Sequence, residues 1–125
     1  MTVLYSSVWL QFLKAGPLLP RVRSHMRGAR ILVPTVVLYE VFKVVCRDVS
    51  AEAAREAIAS LGEQEVVALD ERLALQAADL SLALRLSMAD AIVYATAQGY
   101  DARLVTCDKH FVGLPGVEYI APEGD

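Results

Sequence analysis

The sequence predicts a three-layer α/β/α domain, in which helices cover both faces of a central parallel sheet of four or five strands. Short apolar runs of strand length alternate along the chain with longer segments of helical periodicity. The chain has 125 residues, the usual size of one domain, and 55% of them are hydrophobic, which is enough for a substantial core. Neither an internal repeat nor a low-complexity linker divides it, so residues 1–125 are predicted to form a single domain.

In the first half of the chain, two short apolar strands each lead into a helix. Ser6 and Thr35 stand where they could cap these helices, and Gly16–Pro17 breaks the first of them. The predicted strands are Thr2–Tyr5 and Ile31–Val33, and the predicted helices are Ser6–Leu13, Leu18–Arg27, one after Pro34 that carries Glu40, and one from Ser50 to about Gly62.

The second half repeats the alternation of strand and helix. Helical spacing is clearest over Leu73, Ala77, Leu80 and Leu84. The predicted strands are Val66–Leu69, Arg103–Thr106 and a candidate fifth strand at Val117–Ile120, and the predicted helices are Asp70–Leu86 and Ser87 to Gly99.

Composition and cysteine usage favour a cytoplasmic protein with no membrane attachment. No apolar run approaches the ~18 to 20 residues needed to cross a bilayer, and the N-terminus lacks the features of a secretory signal. Cys46 and Cys107 form no CxxC pair and fit a reducing compartment as packing residues. The net charge of −3 argues weakly against a broad nucleic-acid-binding surface.

Three acids stand where an open parallel sheet would bring them to one edge. Asp90 begins an apolar helix, Asp108 follows the strand Arg103–Thr106, and Glu40 lies inside the apolar run Val36–Phe42. The C-terminal ends of parallel strands form the ligand crevice of such a sheet. A lone carboxylate among apolar neighbours is costly to bury unless it is paired or coordinates something.

Each acid also has a purely structural interpretation. Asp90 fits a capping box that starts at Ser87. Glu40 could pair with Lys43 one helical turn on, and Asp108 could be a turn residue or the N-cap of a short helix. Together the three acids favour a shared metal site. Three carboxylates without a histidine or cysteine cluster select a hard cation, Mg²⁺ or Mn²⁺.

On these residues the chain resembles the PIN domain, specifically the VapC-type toxins of bacterial and archaeal toxin–antitoxin pairs. The resemblance covers nearly the whole chain, and the order and spacing of its parts make it specific. Those parts are the opening strand and helix Val3–Leu10, the proline-to-glutamate segment Pro34–Glu40, the helix start Met88–Ile92, the Val-Thr-x-Asp-x-x-Phe signature Val105–Phe111, and the tail Leu114–Val117.

The resemblance implies a function, a cofactor and partners. The family is implied to consist of Mg²⁺- or Mn²⁺-dependent ribonucleases that hydrolyse RNA phosphodiester bonds. On that resemblance Glu40, Asp90 and Asp108 are the catalytic and metal-binding acids, and Ser6 and Thr106 are polar supports. It also implies a homodimer and a cognate antitoxin, a segment of which threads toward the acids.

Position 5 departs from the family pattern, in which an aspartate closes the first strand. This chain has Tyr5 there. A tyrosine is a poor ligand for Mg²⁺ at neutral pH, and its ring is large enough to fill the cation's place. Either the protein is naturally degenerate or this is an inactivated form, since one base change converts an Asp codon into a Tyr codon.

Three functional hypotheses follow. The leading one is a ribonuclease toxin whose activity in this form is weak or lost. The second, which Tyr5 supports, is a non-catalytic PIN-like module that binds an antitoxin or a sibling subunit. The third and weakest is a structure-specific nuclease of DNA, because phosphate contacts read neither sugar nor base.

The other polar residues carry less information. Lys109 is placed to contact phosphate, whereas His110 is expected to have no catalytic role, because metal-bound water needs no histidine. A local basic run could contact RNA phosphates or simply form a solvated helix face, and the second interpretation is slightly favoured; it comprises Arg21, Arg23, His25, Arg27 and Arg30.

Overall fold

A five-stranded parallel sheet forms the centre of the protein, with six helices around it in a three-layer α/β/α arrangement. The structure, a computed structural model, describes residues 1–121, and all counts refer to these residues. The strands are β1 (Thr2–Leu4), β2 (Ile31–Pro34), β3 (Glu65–Val67), β4 (Arg103–Thr106) and β5 (Val117–Tyr119). The helices are α1 (Ser6–Leu13), α2 (Leu19–Met26), α3 (Thr35–Asp48), α4 (Ala51–Gly62), α5 (Glu71–Leu84) and α6 (Met88–Gly99), and a single 3₁₀ turn covers Lys109–Phe111.

The strand order β3-β2-β1-β4-β5 puts the first strand in the middle of the sheet. The chain builds outward from β1 through β2 to β3, then crosses over to pair β4 with the other side of β1. In an open α/β sheet, ligands bind at such a reversal of strand order, outside the C-terminal ends of the strands. The topology therefore singles out the ends of β1 and β4 as the place for a site.

Helix α6 is the most deeply buried helix among the described residues. Every residue from Asp90 to Ala97 is buried, and the helix contacts β1, β4, α3 and α5. Its many alanines allow this close packing, because small side chains let a helix lie near a sheet and a neighbouring helix at once. The first turn of α6 consequently places Asp90 inside the protein, beside the end of β1.

Several predicted boundaries differ from the structure by one or two residues. Tyr5 is the N-cap residue of α1 and is not part of β1, and Leu69 lies outside β3. β3 is shorter than predicted because its last paired residue, Val67, faces Pro34, where β2 ends. α5 begins after its cap Asp70 and stops at Leu84.

The predictions that Ser6 caps α1 and that Thr35 caps α3 are both wrong. The N-cap residue of α1 is Tyr5, and no side-chain hydrogen bond caps that helix. Pro34 occupies the N-cap position of α3, and the Thr35 hydroxyl instead accepts a hydrogen bond from the Leu69 backbone N–H, at 3.3 Å. The threonine thus connects the start of α3 to the segment that follows the edge strand.

Within residues 1–121, no single helix has the length and apolar character needed to cross a bilayer. Helices α5 and α6 taken together meet that criterion, but they are bent by 113° at the break between them. Cys46 and Cys107 are both partly buried free thiols.

Candidate metal site

Five side chains from separate elements surround the C-terminal ends of β1 and β4. Tyr5 directly follows β1, and Asp108 follows β4 after one intervening residue. Glu40 comes from α3, Asp90 from the first turn of α6, and His110 from the 3₁₀ turn. The three predicted acids are therefore brought to the edge of the sheet at which the strand order reverses.

Tyr5 lies at the centre of this group. Its side chain is buried, and its hydroxyl donates a hydrogen bond of 2.5 Å to Oδ1 of Asp90. Its ring packs edge-on against Phe111, with 5.4 Å between ring centroids. Burial, the hydrogen bond to Asp90 and the negative charges of the surrounding acids all raise the pKa of Tyr5 above its ordinary value. The tyrosine therefore remains a neutral hydrogen-bond donor.

Asp90 combines the capping position predicted for it with a second set of contacts. Its backbone N–H donates to the Ser87 hydroxyl at 3.4 Å, which is the helix cap. The residue is only 4% exposed, and its carboxylate does not complete the capping box: Oδ1 accepts a hydrogen bond from Tyr5, and Oδ2 lies 3.2 Å from Nδ1 of His110. The helix cap therefore uses the backbone of Asp90, and its side chain is available to contact Tyr5 and His110.

Asp108 likewise combines the N-cap position predicted for it with further contacts at the edge of the sheet. Its Oδ1 accepts a hydrogen bond from the His110 backbone N–H at 2.9 Å and thereby caps the 3₁₀ turn. Its own N–H donates to Oγ1 of the fully buried Thr106, at 3.0 Å. The same Oδ1 also lies 3.3 Å from Nδ1 of His110. Local turn chemistry thus holds the carboxylate at the edge of the sheet.

Glu40 is close enough to Asp90 and Asp108 for their negative charges to raise its pKa. Burial raises the pKa of the Glu40 carboxyl, and the negative charges of Asp90 and Asp108 raise it further, while Ser6 and Lys43 act in the opposite direction. Its Oε1 is buried and accepts no hydrogen bond from the part of the chain that the structure describes. Lys43, the alternative partner, places its Nζ 5.8 Å from the centre of the Tyr39 ring.

These donor atoms fit a divalent cation. Oxygens of Asp90 and Asp108 and a ring nitrogen of His110 all lie within 4.8 Å of one another. Glu40 is not a member of this group of three, although its Oε1 is buried and has no hydrogen-bond partner among the described residues. Tyr5 reduces the fit without abolishing it, because its hydroxyl occupies one oxygen of Asp90 and offers no carboxylate of its own.

The structure adds two side chains that the sequence did not assign. His110, expected to have no role, contacts both Asp90 and Asp108. Ser7 accepts a hydrogen bond from the Cys107 backbone N–H at 3.1 Å and so ties α1 to the segment that carries Asp108. For His110 the available signal was its position two residues after Asp108, whereas nothing local distinguished Ser7 from its neighbour.

The basic run is mostly engaged in structural contacts. Arg30 forms two hydrogen bonds of 2.8 Å with Glu65, and Nη1 of Arg21 donates to the Ala121 carbonyl at 2.6 Å. Nδ1 of His25 lies 3.4 Å from a carboxylate oxygen of Glu118. These contacts support the structural interpretation of the run over phosphate binding.

Comparison with known proteins relates this fold to toxin structures. The VapC20 toxin of Mycobacterium tuberculosis, described as sarcin–ricin loop cleaving, has a TM-score of 0.79 and 19% identity, over 98% of this chain and 100% of that one. A toxin–antitoxin complex from Klebsiella pneumoniae has a TM-score of 0.76 and 21% identity, over 96% of this chain and 100% of that one. DNA-bound VapBC from Salmonella typhimurium has a TM-score of 0.75 and 17% identity, over 95% of this chain and 96% of that one. Identities this low establish a shared fold only.

Family-level comparison is more specific. No curated protein matches the chain. The profile of the PIN domain matches residues 3–116, which include all of β1 except its first residue, the three acids and the whole of β4. The chain therefore belongs to the PIN domain family.

Proposed function

We propose that the chain is the toxin of a toxin–antitoxin pair and that its fold carries a Mg²⁺- or Mn²⁺-dependent ribonuclease site. The observation that carries the proposal is the convergence of Glu40, Asp90 and Asp108 at the reversal of strand order. Two of these carboxylates share His110, and their charges raise the pKa of the third.

The substrate class and the partner are carried over from the likeness to known proteins. The structural relatives include toxin–antitoxin complexes and one toxin described as cleaving the sarcin–ricin loop. The proposed partners are accordingly a cognate antitoxin and an RNA substrate.

Each acid would have a distinct part in holding the ion. Asp90 would present its outward oxygen, Asp108 an oxygen fixed by the capped turn, and Glu40 its unpartnered Oε1. When bound, a divalent cation supplies a Lewis acid that lowers the pKa of a water and stabilises charge developing on phosphate oxygens. The protein contributes the rigid sheet edge, which keeps the carboxylates in place without reorganisation during reaction.

Tyr5 favours a second candidate function, a non-catalytic module that binds an antitoxin or a sibling subunit. The tyrosine lacks the carboxylate that the family pattern has at this position, and it takes up one oxygen of Asp90. A hard cation loses both charge and an oxygen ligand by this exchange. Within the proposal, the protein with Tyr5 binds metal weakly and cleaves RNA slowly or not at all.

The test compares the chain as written with Tyr5→Asp and with Tyr5→Phe, a matched control that frees Asp90 without adding a ligand. Labelled RNA and labelled DNA are incubated with each protein and Mg²⁺ or Mn²⁺, with a chelator as control. Tyr5→Asp should raise metal-dependent RNA cleavage by about 100-fold or more, the scale on which a group stabilising developing charge contributes. Tyr5→Phe should remain slow.

Further substitutions in the Tyr5→Asp background test the acids directly. Asp90→Asn or Asp108→Asn should abolish cleavage while leaving the circular dichroism spectrum unchanged. If Tyr5→Asp is folded yet inert, the site assignment fails and the binding module is the better description. If the chain with Tyr5 already cleaves at the rate of Tyr5→Asp, the interpretation of Tyr5 is wrong, and preferential cleavage of DNA would overturn the substrate class.

A further inference from the structure

The His110 imidazole lies on the solvent side of the acid pair. Its Nδ1 is 3.2 Å from Oδ2 of Asp90 and 3.3 Å from Oδ1 of Asp108, and its side chain is 71% exposed. The ring is thus open to solvent, while one of its nitrogens points at both carboxylates.

The 3₁₀ turn holds His110 in this place from both ends. Asp108 caps the turn by accepting the His110 N–H, and Phe111, the next residue, is fully buried. The ring of Phe111 packs against Tyr5 on one side and Tyr94 on the other. A buried aromatic residue directly after the histidine fixes the turn more firmly than the exposed imidazole could by itself.

Tyr5 acts from the interior side and leaves the outward-facing donors available. Its hydroxyl binds Oδ1 of Asp90, and the other oxygen of that carboxylate faces His110. Hydrogen bonding of a ligating carboxylate by a neighbouring group is the usual way in which proteins orient a metal ligand. At position 5 the chain therefore has a residue that orients Asp90 instead of one that supplies a ligand itself.

We propose that His110 is itself a metal ligand, and that Asp90, Asp108 and His110 form a mixed nitrogen–oxygen site that prefers Mn²⁺ or Co²⁺ to Mg²⁺. Their donor atoms lie within 4.8 Å of one another, so one ion can reach all three. Mg²⁺ takes oxygen ligands almost exclusively, whereas imidazole suits the later divalent metals of the first transition row. The inference rests on the proposed function for the two acids and goes beyond it in the third ligand and the choice of metal.

A competing arrangement makes the opposite prediction about metal affinity. A protonated His110 would be a built-in cation that neutralises Asp90 and Asp108 and repels any metal. Removing the side chain would then raise the affinity for every divalent ion. If His110 is a metal ligand, by contrast, removing its side chain lowers the metal affinity, and lowers it most for the ions that favour nitrogen ligands.

The experiment is a calorimetric titration of the intact chain with Mg²⁺, Mn²⁺ and Co²⁺, compared with the variant His110→Ala. The matched control is His25→Ala, because the chain has only 2 histidines and His25 contacts Glu118 instead of the acid pair. We expect the affinity of the unchanged chain to rise from Mg²⁺ through Mn²⁺ to Co²⁺. His110→Ala should lower the affinity for Co²⁺ and Mn²⁺ by about 10-fold or more, and the affinity for Mg²⁺ by about 2-fold at most. His25→Ala should bind all three as the unchanged chain does.

Three results would overturn the inference. Equal losses for all three ions in His110→Ala would show that the residue only shapes the site, and a gain in affinity would show that it acts as a cation. Unchanged affinities would remove it from the site altogether, with the proposed function left intact. A titration of Tyr5→Asp separates the two failures, because absence of binding there as well, in a folded protein, overturns the metal site and the proposed function together.

Discussion

The Tyr5 hydroxyl gives a buried carboxylate one of the partners that it needs inside the protein. Asp90 is 4% exposed, and an isolated charge at such a depth is strongly destabilising unless it is hydrogen-bonded or paired. Tyr5 and His110 each contact one of its oxygens, and the Asp90 carboxylate is thus accommodated within the folded chain.

Glu40 is less well accommodated, and its substitution should stabilise the protein. Its pKa is raised, chiefly by burial, so the folded chain holds this proton more tightly than the unfolded chain does. The stability that the protonated group contributes is fully present below the unfolded pKa, about 4.3, and is lost as the pH rises through the folded value.

At pH 7 without added metal, Glu40→Gln should therefore raise the melting temperature. The free energy of unfolding should rise by about 1 kcal/mol at most, because solvent screens a partly buried carboxyl. This increase should become smaller near pH 4. Thermal unfolding followed by circular dichroism in chelator measures it, with Glu56→Gln on the exposed side of α4 as control. A lower melting temperature for Glu40→Gln at pH 7 would mean that the carboxylate already has a favourable partner.

At the scale of the element, side-chain caps decide where several of the helices begin. Ser50 caps α4 and Asp70 caps α5, with side-chain oxygens 3.0 Å and 2.9 Å from the backbone N–H groups of Ala53 and Leu73. Each oxygen satisfies a donor that has no partner within the helix itself. Asp108 uses the same chemistry in the 3₁₀ turn, so the hydrogen bond that starts this turn also places His110 beside the acids.

The cap of α5 supplies a test at this scale. Asp70→Ala should lower the free energy of unfolding by about 1 kcal/mol, the usual effect of losing an N-cap side chain. Denaturant unfolding measures the loss, and Asp79→Ala, an exposed aspartate in the body of the same helix, is the matched control. Equal effects of the two substitutions would show that the α5 cap contributes little beyond a general effect of losing an acid.

At the scale of the whole molecule, the parallel sheet brings together residues that are far apart in the chain. Tyr5 and Asp90 are separated by 85 positions, and their side chains meet because β1 pairs with β4 and α6 packs against both strands. The five-stranded parallel sheet that makes this contact possible is the fold expected of a PIN domain.

The protein surface also carries large exposed apolar side chains on two neighbouring helices. Leu82, Met88 and Leu75 are 84%, 76% and 63% exposed, and all three lie on α5 or at the start of α6. Exposed apolar residues gathered on neighbouring elements are typical of interaction surfaces.

We expect a homodimer in solution, because association would remove these side chains from water. Light scattering over a range of protein concentrations should give twice the chain mass and a fall toward one chain mass on dilution. A single chain mass at every working concentration would contradict this prediction.

The alternation of strands and helices was determined by the sequence alone, because apolar periodicity is a local property that each segment carries by itself. The cap at Ser87 was local for the same reason, and so was the position of each acid relative to a strand end or helix start. Those positions, together with the rule for parallel sheets, were sufficient to predict that Glu40, Asp90 and Asp108 would share one edge.

Only the tertiary structure decided which side chains the acids contact. Tyr5 reaches Asp90, and His110 lies between two carboxylates, because strand register and the packing of α6 fix distances that no local pattern encodes. Thr35 was expected to cap a helix and instead binds the backbone at Leu69, for the same reason. Sequence patterns specify the elements and the face on which a residue lies, whereas the hydrogen-bond partner of a side chain depends on which distant segment packs against that face.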